Sequence, residues 1–158
     1  MKPIPHLDLK AIEEIRVILR RTLEETNAAT VVLSDRGGYK LSACKAENLD
    51  SQTLASLSAN LFSAAEFVNS LLGEPAPMNL LQKGQNVSIL VCGNIDSALL
   101  TILFKSNVEA GWVKFFASGP LKEVSNVFEK CRIEYPGQDF DPADIDLPHL
   151  EEYLEKRQ

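Results

Sequence analysis

Apolar positions recur at helical spacing in four stretches of the chain and crowd into short dense runs in several others. From Leu9 to Thr26, Ile12, Ile15 or Arg16, Leu19 and Leu23 share one face of a helix, while Glu13, Glu14, Arg20, Arg21, Glu24 and Glu25 supply a charged one. Asp8 suits its N-cap, and Asn27 can end it in the left-handed conformation. The second helix, Asp50 to Leu72, is the one around which the chain is organised. Leu54, Leu57, Leu61, Ala64, Val68 and Leu71 form a stripe. Asp50 is its N-cap, Leu49 and Leu54 stand at the positions of a hydrophobic staple, and Gly73 with Pro75 marks the end.

The other side of this helix is unusual. Ala55, Ser58, Ala59, Phe62, Ala65, Glu66 and Asn69 make a second stripe, and Glu66 is the only charged residue between Gln52 and Gly73. A solvated face is normally rich in long charged side chains, whereas small residues let another backbone come close. The expectation is a helix packed on both sides, with the leucine stripe on its own sheet and the small stripe toward a partner chain. The alternative is a helix buried inside one domain.

Between and after these helices the pattern changes to strands. Ala29 to Ser34 and Tyr39 to Lys45 form a hairpin about the turn Asp35-Arg36-Gly37-Gly38. Pro75 to Gly84 reads as a loop, Asn86 to Cys92 as a third strand, and the turn Gly93 to Asp96 leads into Ser97 to Phe104, the best central strand. Gly111 to Ala117 reads as a fifth strand. Pro120 then opens a third helix to about Arg132, with Leu121, Val124, Phe128 and Cys131 inward. The predicted order is αββαβββα, an α+β fold of five antiparallel strands with helices. The domain spans 8–135, followed by an acidic linker at 136–147 and a short amphipathic helix at 148–158.

Composition narrows the function. The net charge is −6 over 158 residues, which argues against a general nucleic-acid or membrane-surface role. No uncharged run reaches the roughly 20 residues that a bilayer span needs, and the N-terminus lacks the apolar core of a signal peptide. Cys44, Cys92 and Cys131 are widely spaced, which reads as buried thiols in a reducing cytoplasm. His6 and His149, the only histidines, lie in terminal regions. No metal site, cofactor or catalytic residue is expected. Phosphate-loop, nucleophile-elbow, zinc-protease and dinucleotide motifs are all absent. The Asp139, Asp141, Asp144, Asp146 run lacks the glycine and terminal glutamate of a calcium loop. Trp112, Phe115 and Phe116 read as core or a cross-strand pair.

The hairpin V-L-x-D-x-x-G at Val32 to Gly38, the run D-x-x-x-L-A-x-L-x-A-x-N at Asp50 to Asn60, and L-L-G-E at Leu71 to Glu74 resemble the Roadblock/dynein-light-chain family. Within it the likeness is to the bacterial MglB-type proteins, over about Ile12 to Cys131. The resemblance implies a cytoplasmic homodimer, joined through the central helices and one continuous sheet. It also implies a regulator that activates a small Ras-like GTPase of the MglA type in bacterial cell polarity or motility, without being an enzyme itself. On that reading Ala55, Ser58, Ala59, Phe62 and Glu66 meet the GTPase, and Leu150, Tyr153 and Leu154 of the last helix make a second contact. The competing implication is a non-catalytic adaptor that scaffolds a GTPase or motor complex. A small-molecule-binding domain is disfavoured by the lack of convergent polar groups.

Overall fold

The computed structural model describes residues 1–45 and 48–144. The elements are α1 (Leu9–Thr26), β1 (Thr30–Asp35), β2 (Lys40–Lys45), α2 (Ser51–Leu71), β3 (Asn79–Gln82), β4 (Val87–Ile95), β5 (Ala98–Lys105) and α3 (Ala110–Glu134). The strands form one antiparallel sheet in the order β2-β1-β5-β4-β3. The αββαβββα order and the five-stranded antiparallel sheet are therefore as the sequence predicts. The C-terminal helix and the contacts assigned to Leu150, Tyr153 and Leu154 lie outside the described residues.

The first helix has the predicted limits and caps. Asp8 accepts a hydrogen bond from the Ala11 amide at 2.7 Å, and Asn27 sits in the left-handed region at φ 51°. The third strand and third helix differ from expectation. The segment read as a loop, with Leu80 and Leu81, is β3. The segment read as a fifth strand, Gly111 to Ala117, is the start of α3. Two displacements thus cancel in the strand count. Val113, Ala117, Leu121, Val124, Phe128 and Cys131 keep one buried face through the whole of α3, so the helix runs past Pro120. Pro120 is buried in its interior, where it can give no amide to the Phe116 carbonyl.

The two faces of the sheet are packed differently. One carries α1 and α3, whose large side chains close the main core around Ile15, Leu19, Phe104 and Phe128. The other carries α2 alone. There Val32 packs on Leu54 and Ala55, and Val91 and Leu99 on Ala59 and Phe62. Strand alternation puts Thr30, Ser34 and Thr101 on this second face too. Their buried hydroxyls, like that of Ser58 on the helix, have no hydrogen-bond partner among the described residues.

Packing reaches beyond residues 8–135 in both directions. Ile4 and Leu7 are part of the main core. Pro5 bridges Asp139, the His6 amide donates to the Gln138 carbonyl at 2.9 Å, and the Phe140 amide to the Ile4 carbonyl at 2.8 Å. Phe140 packs on the same core, so the backbone from 138 to 140, with the Gln138 and Asp139 side chains exposed, is tied to the N-terminal segment. The acidic neighbours of Phe140 mask this contact in the sequence. No helix among the described residues is long and apolar enough to cross a membrane.

Candidate functional site

The central helix begins where expected. The Asp50 carboxylate accepts hydrogen bonds from the Gln52 amide at 3.0 Å and the Thr53 hydroxyl at 2.5 Å. These bonds, the Thr53 hydroxyl first among them, hold the Asp50 carboxyl below its usual value. Leu49 packs beside Leu54 as the staple predicts. At the other end Gly73 adopts φ 69°, and the Glu74 amide closes the last turn on the Asn69 carbonyl at 2.9 Å.

Which face looks inward is the reverse of the expectation. Ser51, Leu54, Ala55, Ser58, Ala59 and Phe62 are the buried positions of α2, and Phe62 is only 1% exposed. Leu57, Leu61, Ala64, Val68 and Leu71 lie outside, Leu71 at 70% exposure, with Phe67 and Leu72 beside them. The small residues do admit a close backbone approach, but the surface that approaches is the protein's own sheet. Ala55, Ser58, Ala59 and Phe62 are brought together on one face, and that face is closed to a GTPase.

Glu66 belongs to the same internal arrangement. The β1–β2 turn docks on the flank of α2, and Arg36 from that turn pairs with Glu66 and donates to the Gly93 carbonyl at 2.6 Å. Its guanidinium lies 5.0 Å from the centre of the Phe62 ring. Lower on the helix, the Gln52 side chain takes both sides of the turn. Its Nε2 donates to the Gly38 carbonyl at 2.8 Å, and its Oε1 accepts from the Lys40 amide at 3.1 Å. Asp35 completes the turn by accepting from the Tyr39 amide at 2.7 Å. The hairpin motif Val32 to Gly38 is therefore the element that fixes the rotation of α2.

What remains open is a continuous apolar surface. The leucine flank of α2 points away from the hairpin turn, over sheet residues that α2 covers incompletely. Leu80, Ile89 and Leu103 are half-buried there, and Val87 is exposed. Beyond them β3 is an edge strand, with Met78 exposed just before it and Leu81 exposed on the face of the sheet away from α2. Among the described residues, nothing pairs with its outer edge. The three thiols are buried, and burial pushes Cys92 up to about 12.

No protein-family model and no curated protein sequence matches the chain. Solved structures do. MglB of Myxococcus xanthus is 25% identical and matches with a TM-score of 0.71 over 76% of this chain and 91% of its own. The gliding protein MglB of Thermus thermophilus is 26% identical, with a TM-score of 0.73 over 82% of this chain and 99% of its own. The chain has a Roadblock-like, MglB-type fold. A Roadblock/LC7 domain from Streptomyces avermitilis, 13% identical with a TM-score of 0.66 over 70% of this chain and 94% of its own, shares the architecture alone. The MglB-type fold is shared over nearly the whole of both MglB chains, although this chain buries Phe62 under its own sheet and pairs Glu66 with its own Arg36.

Proposed function

We propose that the chain is a homodimeric regulator of a small Ras-like GTPase of the MglA type, in bacterial cell polarity or motility. The observation that carries this is the outer face of α2, a flank of leucines without charge beside a half-covered sheet. Two copies joined about the β3 edge would lay one α2 beside the other across a continuous sheet. Burying a large apolar side chain contributes roughly 1.5–3 kcal/mol, and each protomer offers Leu57, Leu61, Val68, Leu71 and Leu72. The similarity to MglB structures at 25–26% identity supports the same reading.

In such a dimer the outermost line of α2 is Thr53, Asn60 and Phe67, spaced by seven and opposite the buried face. We assign GTPase contact to that line, in place of Ala55, Ser58, Ala59 and Phe62. The regulator acts by favouring the switch arrangement in which the GTPase's own groups stabilise the transferring phosphoryl group. Single-turnover GTP hydrolysis by the source organism's MglA-type GTPase tests this. The expected result is an acceleration of roughly tenfold or more, about 1.4 kcal/mol off the barrier, lost in Phe67→Asp. Binding without acceleration would make the protein an adaptor, and absence of binding would overturn the reading.

A further inference from the structure

A second uncovered surface lies on the opposite side of the sheet, on the outer face of α3. Trp112 and Phe115 are 55% and 70% exposed. The Phe116 ring stands between them, its centroid 4.7 Å from that of Trp112 and 5.5 Å from that of Phe115. This contact holds the aromatic ridge in place. Along its flank run Lys114 and Lys122, which line a groove of about 300 Å³ together with Ser118, Ser125, Asn79 and Leu121. Neither lysine makes a hydrogen bond or ion pair among the described residues. Ala110 to Lys122 contains no acidic residue, in a chain whose net charge is −6.

We propose that this face of α3 docks an acidic, partly apolar segment of a partner protein. Carboxylates of the segment meet Lys114 and Lys122 along the groove, and an apolar side chain rests on the ridge of Phe115 and Trp112. Aromatic anchors beside unpaired cations are the combination that such a segment matches and that bulk solvent does not. The concavity between α3 and β3 fits a single chain segment better than a bilayer. A flat anionic membrane would touch Phe115 without entering the groove, and it would meet the acidic remainder of the protein. The surface stands on the other side of the sheet from α2, so it goes beyond the dimer and GTPase reading and does not depend on it.

Trp112 is the chain's only tryptophan, so its fluorescence reports from inside the proposed surface. The full-length protein is titrated with a synthetic glutamate-rich peptide of about 12 residues carrying leucine at every fourth position. Tryptophan emission should shift to the blue and saturate. The affinity should fall roughly tenfold or more in Lys114→Glu/Lys122→Glu, and again in about 0.5 M NaCl, where screening is strong. A peptide with lysine in place of glutamate should leave the spectrum unchanged. No shift at about 1 mM peptide, or a shift indifferent to the two lysines, overturns the proposal. Tighter binding to phosphatidylserine-containing vesicles than to the peptide also overturns it, in favour of a lipid surface. Sedimentation and GTP hydrolysis measured on the same double variant should match the parent. A loss there would mean that the α3 face serves the dimer or the GTPase and would overturn the proposal, whereas a parent protein that neither dimerises nor activates a GTPase would overturn the α2 reading alone.

Discussion

Phe62 and Gly93 are matched across the α2–sheet interface: a β-carbon on Gly93 would overlap Phe62 Cζ. Gly93→Ala is therefore expected to destabilise by about 1–3 kcal/mol through overpacking, and Phe62→Ala by about 3–5 kcal/mol through the cavity it leaves. Made together they should cost less than their sum by about 1 kcal/mol, because the ring that clashes is gone. Urea denaturation of the four proteins measures the cycle. Phe62→Arg, which an outward Phe62 would tolerate, should yield no folded protein, since it places a charge in an apolar site.

The two positive-φ glycines that flank α2 separate backbone strain from packing. At Gly38, φ is 87° and a β-carbon would come 2.7 Å from the Ser56 α-carbon; at Gly73, φ is 69° with nothing within 4 Å. Gly73→Ala should cost about 1–2 kcal/mol, the left-handed penalty alone. Gly38→Ala should cost clearly more, because the hairpin turn must also lift from α2. Equal losses in thermal unfolding would show that the turn does not bear on the helix.

The leucine flank of α2 predicts a change in association without a change in folding. Leu61→Glu and Val68→Glu alter exposed positions, so the stability of the isolated protomer should move by no more than about 0.5 kcal/mol. The dimer dissociation constant should rise by roughly 100-fold or more, the loss expected for central interface side chains. Sedimentation velocity across a concentration series reads this. An unchanged dimer would place the interface elsewhere.

Tyr135 donates a hydrogen bond to the Asp8 carboxylate at 3.0 Å, and that bond is the leading cause raising its phenol above the usual value of 10. The protonated phenol is the form favoured in the folded state. Its contribution is fully present below the unfolded value and is lost as pH rises through the raised folded value. Asp8→Asn keeps a capable N-cap but removes the charge. In an ultraviolet titration, Tyr135 should then ionise at lower pH than in the parent, and an identical curve would mean the contact is not formed in solution.

Much of this structure is legible in local signals, and the failures have a common physical origin. Asp8, Asn27, Asp50 and Gly73 act through their own backbone neighbours, so the ends of α1 and α2 follow from residue type. The direction in which α2 faces does not. Its two stripes have the same period, and hydrophobicity favours the leucines as the inner one. A sheet that approaches a helix closely selects Ala and Ser, and it leaves the leucines to stand outside. The lack of charge on α2 does reveal that its outer face is apolar as well. In α3, aromatic residues suggested a strand and Pro120 a helix start, although Val113 and Ala117 already carry the spacing of the residues that follow. Strand β3 is only four residues long at a sheet edge, too short for alternation to show.

Among the described residues, the hydroxyls of Thr30, Ser34, Ser58 and Thr101 have no partner at the α2–sheet interface, while the opposite layer closes over phenylalanines and isoleucines. Free energy is therefore distributed unevenly through the thickness of the molecule. Backbone amides of α1, α3 and the central strands should exchange with solvent only on global opening, and those of α2 through a shallower, local one. The helix proposed to meet other molecules is thus the layer this chain can detach first, and a partner that covered its leucines would also set how often it opens.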